Sequence, residues 1–182
     1  SLDRYRDAID PVRKWVIIIA AILIGLIAGG SASSNWETFL LWRNGRPFGA
    51  EDPQFGTDIG FFAFGWPWWR FMVSFGFAVV VIGLITAAIT YYVYGAIRLQ
   101  TAGERVTPPA QAHLSVLIGL FVLLKAAAYW LDRYQLLIAD GRIGQNDFTG
   151  ARYTDINALL PAKTILVFIA LICAVLFFVN VW

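Results

Sequence analysis

The 182 residues are 59% hydrophobic and only 14% charged, with a net charge of +2 and a mean hydropathy of +0.65. Soluble domains carry about 25% charged residues, so this composition excludes an ordinary soluble domain. The small, scattered positive charge forms no basic stripe and excludes nucleic acid as a partner.

The chain opens on "RYRDAIDPVRK", whose Arg4, Arg6, Arg13 and Lys14 precede the first apolar block. This clustering predicts a cytoplasmic N-terminal side, because Lys and Arg are retained there. No signal peptide with a cleavage site is visible. With Ser1 at the start and Trp182 inside an apolar run, the chain reads as an internal piece of a larger protein. The first block, Trp15 to Ser33, is long enough to cross about 30 Å of hydrocarbon as a helix. Within it, Ala21, Gly25, Gly29 and Ser33 recur every four residues and fall on one face. The GxxxG pair predicts close packing against another helix of the same bundle or of an envelope protein, since lipid offers no hydrophobic drive between helices.

An extracytoplasmic loop, 34–70, follows. It is dense in aromatic residues and punctuated by Asn44-Gly45, Pro47, Pro53 and Pro67. It is expected to lie on the membrane surface, with a short interfacial helix from Asp58 to Phe64. Trp66, Trp68 and Trp69 mark the interface, and Tyr91, Tyr92 and Tyr94 mark the opposite one. The second span is Phe71 to Gly95, followed by a short cytoplasmic loop, 96–113, that contains Arg98, Glu104 and Arg105. The third span, Leu114 to Leu131, carries Lys125 near its middle. Loop 132–163 returns to the extracytoplasmic side as a polar, glycine-punctuated cap, and the last span is Thr164 to Trp182. Pro161 is placed in that helix's first turn. The fold class is therefore an all-α membrane protein with four transmembrane helices, a single module over 1–182.

The blocks "NWETFLLWRNGRPFG", "DPQFGTDIGFFAF", "AHLSVLIGLFVLLKAAAYWLDRY" and "ARYTDINALLPAKTILVFIALICAVLFF" resemble a large uncharacterised family of multi-pass membrane proteins found in actinobacteria and cyanobacteria. The resemblance runs from about Leu2 to Trp182. It implies that these spans correspond to roughly the third to sixth of an N-terminal bundle of about seven, ahead of a large extracytoplasmic region. It carries over no catalytic residue.

The residue inventory points away from an enzyme. His113 and Cys173 are the only histidine and cysteine, which leaves no His-rich metal site and no Cys/His dyad within this chain. Cys173, in an apolar run, reads as a buried, unreactive thiol. "GAEDPQFG" lacks the spacing and lysine of a phosphate loop. In "DGRIGQND", Asp140, Asn146 and Asp147 are irregularly spaced and read as turn chemistry rather than calcium ligands. No catalytic residue, metal or cofactor is therefore expected.

Lys125 is the residue that needs an explanation, because a charge in mid-span costs about 2.5–3.5 kcal/mol on insertion scales. Asp132, seven residues on and about 10 Å along the helix, is one candidate counter-charge; parts of the protein outside this chain, a partner or a lipid are the others. Tyr129, one turn along the same face, can supply an oxygen or a ring. Lys125 can snorkel with help from Tyr129 and Asp132, bond to another span, or act as a functional cation, and it is expected to turn toward protein and away from lipid. Two functional readings follow. In the first, the bundle anchors and positions a large envelope-side region or partner; in the second, Lys125 lines a path for an anionic substrate or lipid headgroup.

Overall fold

The computed structural model describes residues 13–97, 106–138, 140–143 and 146–181. Arg4 and Arg6 of the basic lead-in, and Arg98, Glu104 and Arg105 of the loop 98–105, lie outside these residues. The described residues form five α-helices: α1 (Arg13–Ser34), α2 (Trp36–Asn44), α3 (Trp66–Val93), α4 (Pro108–Gln135) and α5 (Leu160–Val179). A π-helical turn, Phe61–Gly65, leads into α3, and another, Asp155–Leu159, leads into α5.

Proline sets three of the helix starts. Pro67, Pro108 and Pro161 occupy the first turns of α3, α4 and α5, where the missing N–H has no intrahelical partner to lose. The third helix consequently begins at Pro108 rather than at Leu114, and 28 residues are helical. Likewise the expected interfacial helix at Asp58 to Phe64 is the π-helical lead-in of α3, so that one continuous helical stretch runs from Phe61 to Val93.

The first span differs more. Gly29, Gly30 and the serines after them are weak helix formers, and the chain bends by 45° between Ile18–Ser34 and Trp36–Asn44. Among the described residues, three helices, Phe61–Val93, Pro108–Gln135 and Asp155–Val179, are individually long and apolar enough to cross a membrane. A fourth crossing is counted only if the bent pair is one span. The chain is also not purely helical. The cap between α4 and α5 contains two antiparallel strands, β1 (Asp140–Ile143) and β2 (Asn146–Thr149), with Asp140 opposite Thr149 and Ile143 opposite Asn146.

Helix α4 is the centre of the fold. Its buried positions are Ala110, Ser115, Gly119, Ala126, Ala128 and Leu131, and those of α5 are Val167, Ala170 and Ala174. Small side chains let the two backbones approach, and this packing replaces the hydrophobic drive that lipid cannot supply. Gly119 shows how close the approach is. A Cβ there would lie 3.0 Å from Cε1 of Phe178 and 3.3 Å from Cβ of Phe177. On the other side of α4, a Cβ on Gly76 of α3 would lie 3.1 Å from Cδ2 of Leu124, and Gly83, two turns on, faces Leu117.

Helix α1 stands apart from this core. A Cβ on Gly25, Gly29 or Gly30 would meet nothing within 4 Å. A gap of about 350 Å³, lined by Ile24, Ile27, Ala28, Phe71, Phe75 and Ala78, separates it from α3. Large apolar side chains of α1, α3 and α5 are exposed, among them Leu26, Ile27, Ile85, Phe168 and Ile172.

Candidate functional site

The helix ends that meet at Asp132 form a charged clamp. Asp132 lies in the last turns of α4, Arg70 in the second turn of α3 and Lys163 in the first turn of α5. Nη1 of Arg70 donates to Oδ1 of Asp132 at 2.6 Å, and Nζ of Lys163 donates to Oδ2 at 3.2 Å. The Asp132 side chain is 19% exposed, so this carboxylate is half shielded from water and both of its oxygens are occupied. One residue back, the carbonyl of Leu131 accepts a 3.0 Å hydrogen bond from Nε1 of Trp66. Two helices distant in sequence, α3 and α5, are thus held at one end by one short segment of α4.

Aromatic rings surround the clamp. Tyr134 packs against Phe55 and Phe61 at centroid distances of 4.8 and 5.1 Å. The Arg133 guanidinium lies 4.4 Å over the Trp130 ring and 5.6 Å from that of Phe55, close enough for cation–π attraction. Trp42 of α2 stacks on Trp68 at 5.4 Å and meets Trp69 edge-on at 5.9 Å. The three expected interface tryptophans therefore divide their roles. Trp66 ties α3 to α4, Trp68 receives α2, and Trp69 remains exposed.

The loop before α3 is ordered by Asp58. Its carboxylate accepts the backbone N–H groups of Phe48, Gly49 and Gly60 at 3.0, 2.9 and 2.7 Å. These bonds, that from Phe48 foremost, hold the Asp58 carboxyl below its ordinary value, outweighing the opposing effect of desolvation. Gly60 is required here, since a Cβ would come within 2.8 Å of the Arg46 carbonyl oxygen and of Oδ1 of Asp58. Asp58, read from the sequence as a loop residue at the start of a helix, is the loop's internal anchor. At the opposite end of the bundle, Oη of Tyr91 and Nδ1 of His113 are 2.7 Å apart. Nδ2 of Asn180 donates to Oγ of the buried Ser115 at 3.1 Å.

Lys125 keeps the expected ring neighbour, Tyr129, and loses one of its candidate counter-charges. It is exposed, and Asp132 is not its counter-charge, because both oxygens of that carboxylate are taken by Arg70 and Lys163. The Lys125 ammonium instead lies 5.4 Å from the Tyr129 ring centroid and 5.8 Å from that of Phe77 on α3. The two ion pairs among the described residues both use Asp132. Ala21, Gly25, Gly29 and Ser33 share an exposed face of α1 that no described helix covers. The packing of small residues that the structure does show, Ser115 with Gly119 and Ala170 with Ala174, has the same four-residue spacing and was legible in the sequence. The side on which the clamp forms, though not its pairing, was legible too: Arg70, Asp132 and Lys163 are each the charged residue next to a span boundary, and alternating crossings bring those three boundaries to one side. Among the described residues, no group of three or more His, Cys, Asp or Glu residues could hold a metal ion.

Residues 1–182 match the family described as an uncharacterised protein family, UPF0182. The chain is similar to the UPF0182 protein SCO5204 of Streptomyces coelicolor, with 55% identity over 100% of this chain and 18% of that protein. It is similar also to a UPF0182 protein of a Nocardioides species, with 53% identity over 100% of this chain and 18% of the relative. A third, UPF0182 protein FRAAL6027 of Frankia alni, is 51% identical over 100% of this chain and 17% of its own length. The chain thus spans less than a fifth of the length of the curated relatives it matches. No solved structure matches it.

Proposed function

Because the chain belongs to the uncharacterised protein family UPF0182, we propose that it serves as a multi-pass helical anchor in the bacterial plasma membrane. In this reading it has no catalytic role of its own and positions a large extracytoplasmic region or an envelope partner. The observation that carries the reading is the clamp of Arg70, Asp132 and Lys163, which fixes three helix ends on the side that bears the loops 34–70 and 132–163. A rigid rim of this kind suits a platform, since a conduit that opens and closes needs helices free to separate there. In this reading the rim faces the extracytoplasmic side, which the basic lead-in favours.

Carbonate washing of membranes from cells that express the full-length protein tests the anchor. The protein with Asp132→Ala, Arg70→Ala and Lys163→Ala together should stay in the membrane, yet the extracytoplasmic region should become sensitive to added protease. Unchanged protease resistance, in a variant whose bundle has lost thermal stability, would overturn the platform role.

A second reading has one observation in its favour, the exposed ammonium of Lys125, which makes no ion pair among the described residues. As part of a path for an anionic substrate or headgroup, that position would be wet. A cysteine at position 125, in a Cys173→Ala background, would then react readily with a small water-soluble thiol reagent, and protection would count against transport.

A further inference from the structure

Lys125 sits on the same face of α4 as Asp132, seven residues or about 10 Å farther from the clamp end. The face between the sides of α4 that receive α3 and α5 therefore carries Arg70, Lys163 and Lys125 against a single carboxylate, Asp132. The clamp accounts for two of the three cations. The third is exposed in mid-span, with the ring faces of Tyr129 and Phe77 beside it and no carboxylate in hydrogen-bond reach among the described residues. Cation–π contacts attract an ammonium but do not neutralise it, and an ionisable side chain at such depth ordinarily pairs with another group inside a bundle. Asp132 is already occupied on both oxygens.

We infer that this face of α4 is covered by a further membrane-spanning helix of the longer polypeptide, and that this helix presents an Asp or Glu to Lys125. Charge complementarity selects the occupant, because a purely apolar helix would leave the ammonium buried and unpaired. The length of the relatives, of which this chain covers 18%, leaves ample chain to supply it. The carboxylate belongs about two helical turns inward from the clamp, near the level of Phe77 and Tyr129. The inference rests on the helices lying in a bilayer and is independent of what the bundle anchors.

The test uses the full-length protein in its native membrane. A photo-crosslinking phenylalanine derivative at position 125 should form its adduct with a peptide of the same polypeptide, outside residues 1–182, that contains Asp or Glu. An adduct with phospholipid, an adduct with a different protein, or no adduct would each overturn the inference. Thermal stability supplies the independent measurement. Lys125→Met should lower Tm by at least about 5 °C, because it strands the partner carboxylate in a dry site, whereas Lys125→Arg should stay close to the parent. An unchanged or raised Tm for Lys125→Met would show an unpaired lysine and reject the pairing.

Discussion

Asp132 shows how one residue can hold three helices. Its two oxygens accept from Arg70 and Lys163 in a half-shielded site. Removing the carboxylate leaves two cations side by side without an anion. Exposed pairs contribute about 0.2–1 kcal/mol and loss of one partner from a buried pair costs about 3–5 kcal/mol. Asp132→Ala is therefore expected to fall between these ranges in thermal unfolding of the detergent-solubilised protein, and Asp132→Glu to recover part of the loss. A value no larger than that of an exposed pair would mean that the clamp is only a surface contact. Asp58 makes a different prediction, one of pH. Its folded carboxyl lies below the ordinary value of 3.8. The stabilisation it gives the loop is complete above that value and is lost as pH falls through the lower folded value. Hydrogen exchange at the amides of Phe48, Gly49 and Gly60 should be slower than in Asp58→Ala at neutral pH, and this difference should vanish in strong acid. A difference that persists there would assign the protection to something other than the carboxylate.

At the level of helices, the decisive contacts are those made by small residues, and their positions separate α4 from α1. A Cβ on Gly119 would press on Phe177 and Phe178, whereas one on Gly25 or Gly29 would meet nothing within 4 Å. Gly119→Leu should force α4 and α5 apart, at a cost of about 1–3 kcal/mol for overpacking, and lower Tm accordingly. In residues 1–182 alone, Gly25→Leu and Gly29→Leu should leave Tm nearly unchanged. In the full-length protein the same two substitutions report whether a helix from elsewhere covers that face. Equal effects of Gly119→Leu and Gly25→Leu in the short chain would refute the packing described here. Between α3 and α4, the neighbour of Gly76 is the flexible end of Leu124, which can move aside, so Gly76→Ala should be milder than Gly119→Ala.

On the scale of the whole molecule, and among the described residues, a tightly packed unit, α3 to α5, receives α2 on Trp68 and Trp69, while α1, joined to α2 at a 45° bend, stands off from it. Topology is the property to test at this scale. Tyr153, 82% exposed between the hairpin and α5, belongs to the loop assigned to the extracytoplasmic side. In the full-length protein, Tyr153→Cys in a Cys173→Ala background should react with a membrane-impermeant thiol reagent in intact cells. Labelling only after permeabilisation would invert the orientation.

The sequence by itself determined that the chain forms long apolar helices, where the proline-led α5 begins, and the family to which it belongs. These follow from local properties: the apolar length needed to cross hydrocarbon, the tolerance of proline in a first turn, and the order of several long sequence blocks. It did not determine the partner of Asp132. That carboxylate is seven residues from Lys125 in the chain, yet it pairs with Arg70 and Lys163, 62 and 31 residues away, because ion pairs form between groups that packing brings together. The sequence likewise offered several four-residue spacings of small side chains and could not rank them. Only the tertiary structure decided among these, since a small residue becomes a contact when another helix arrives, and α5 arrives at Gly119 while no described helix arrives at Gly25.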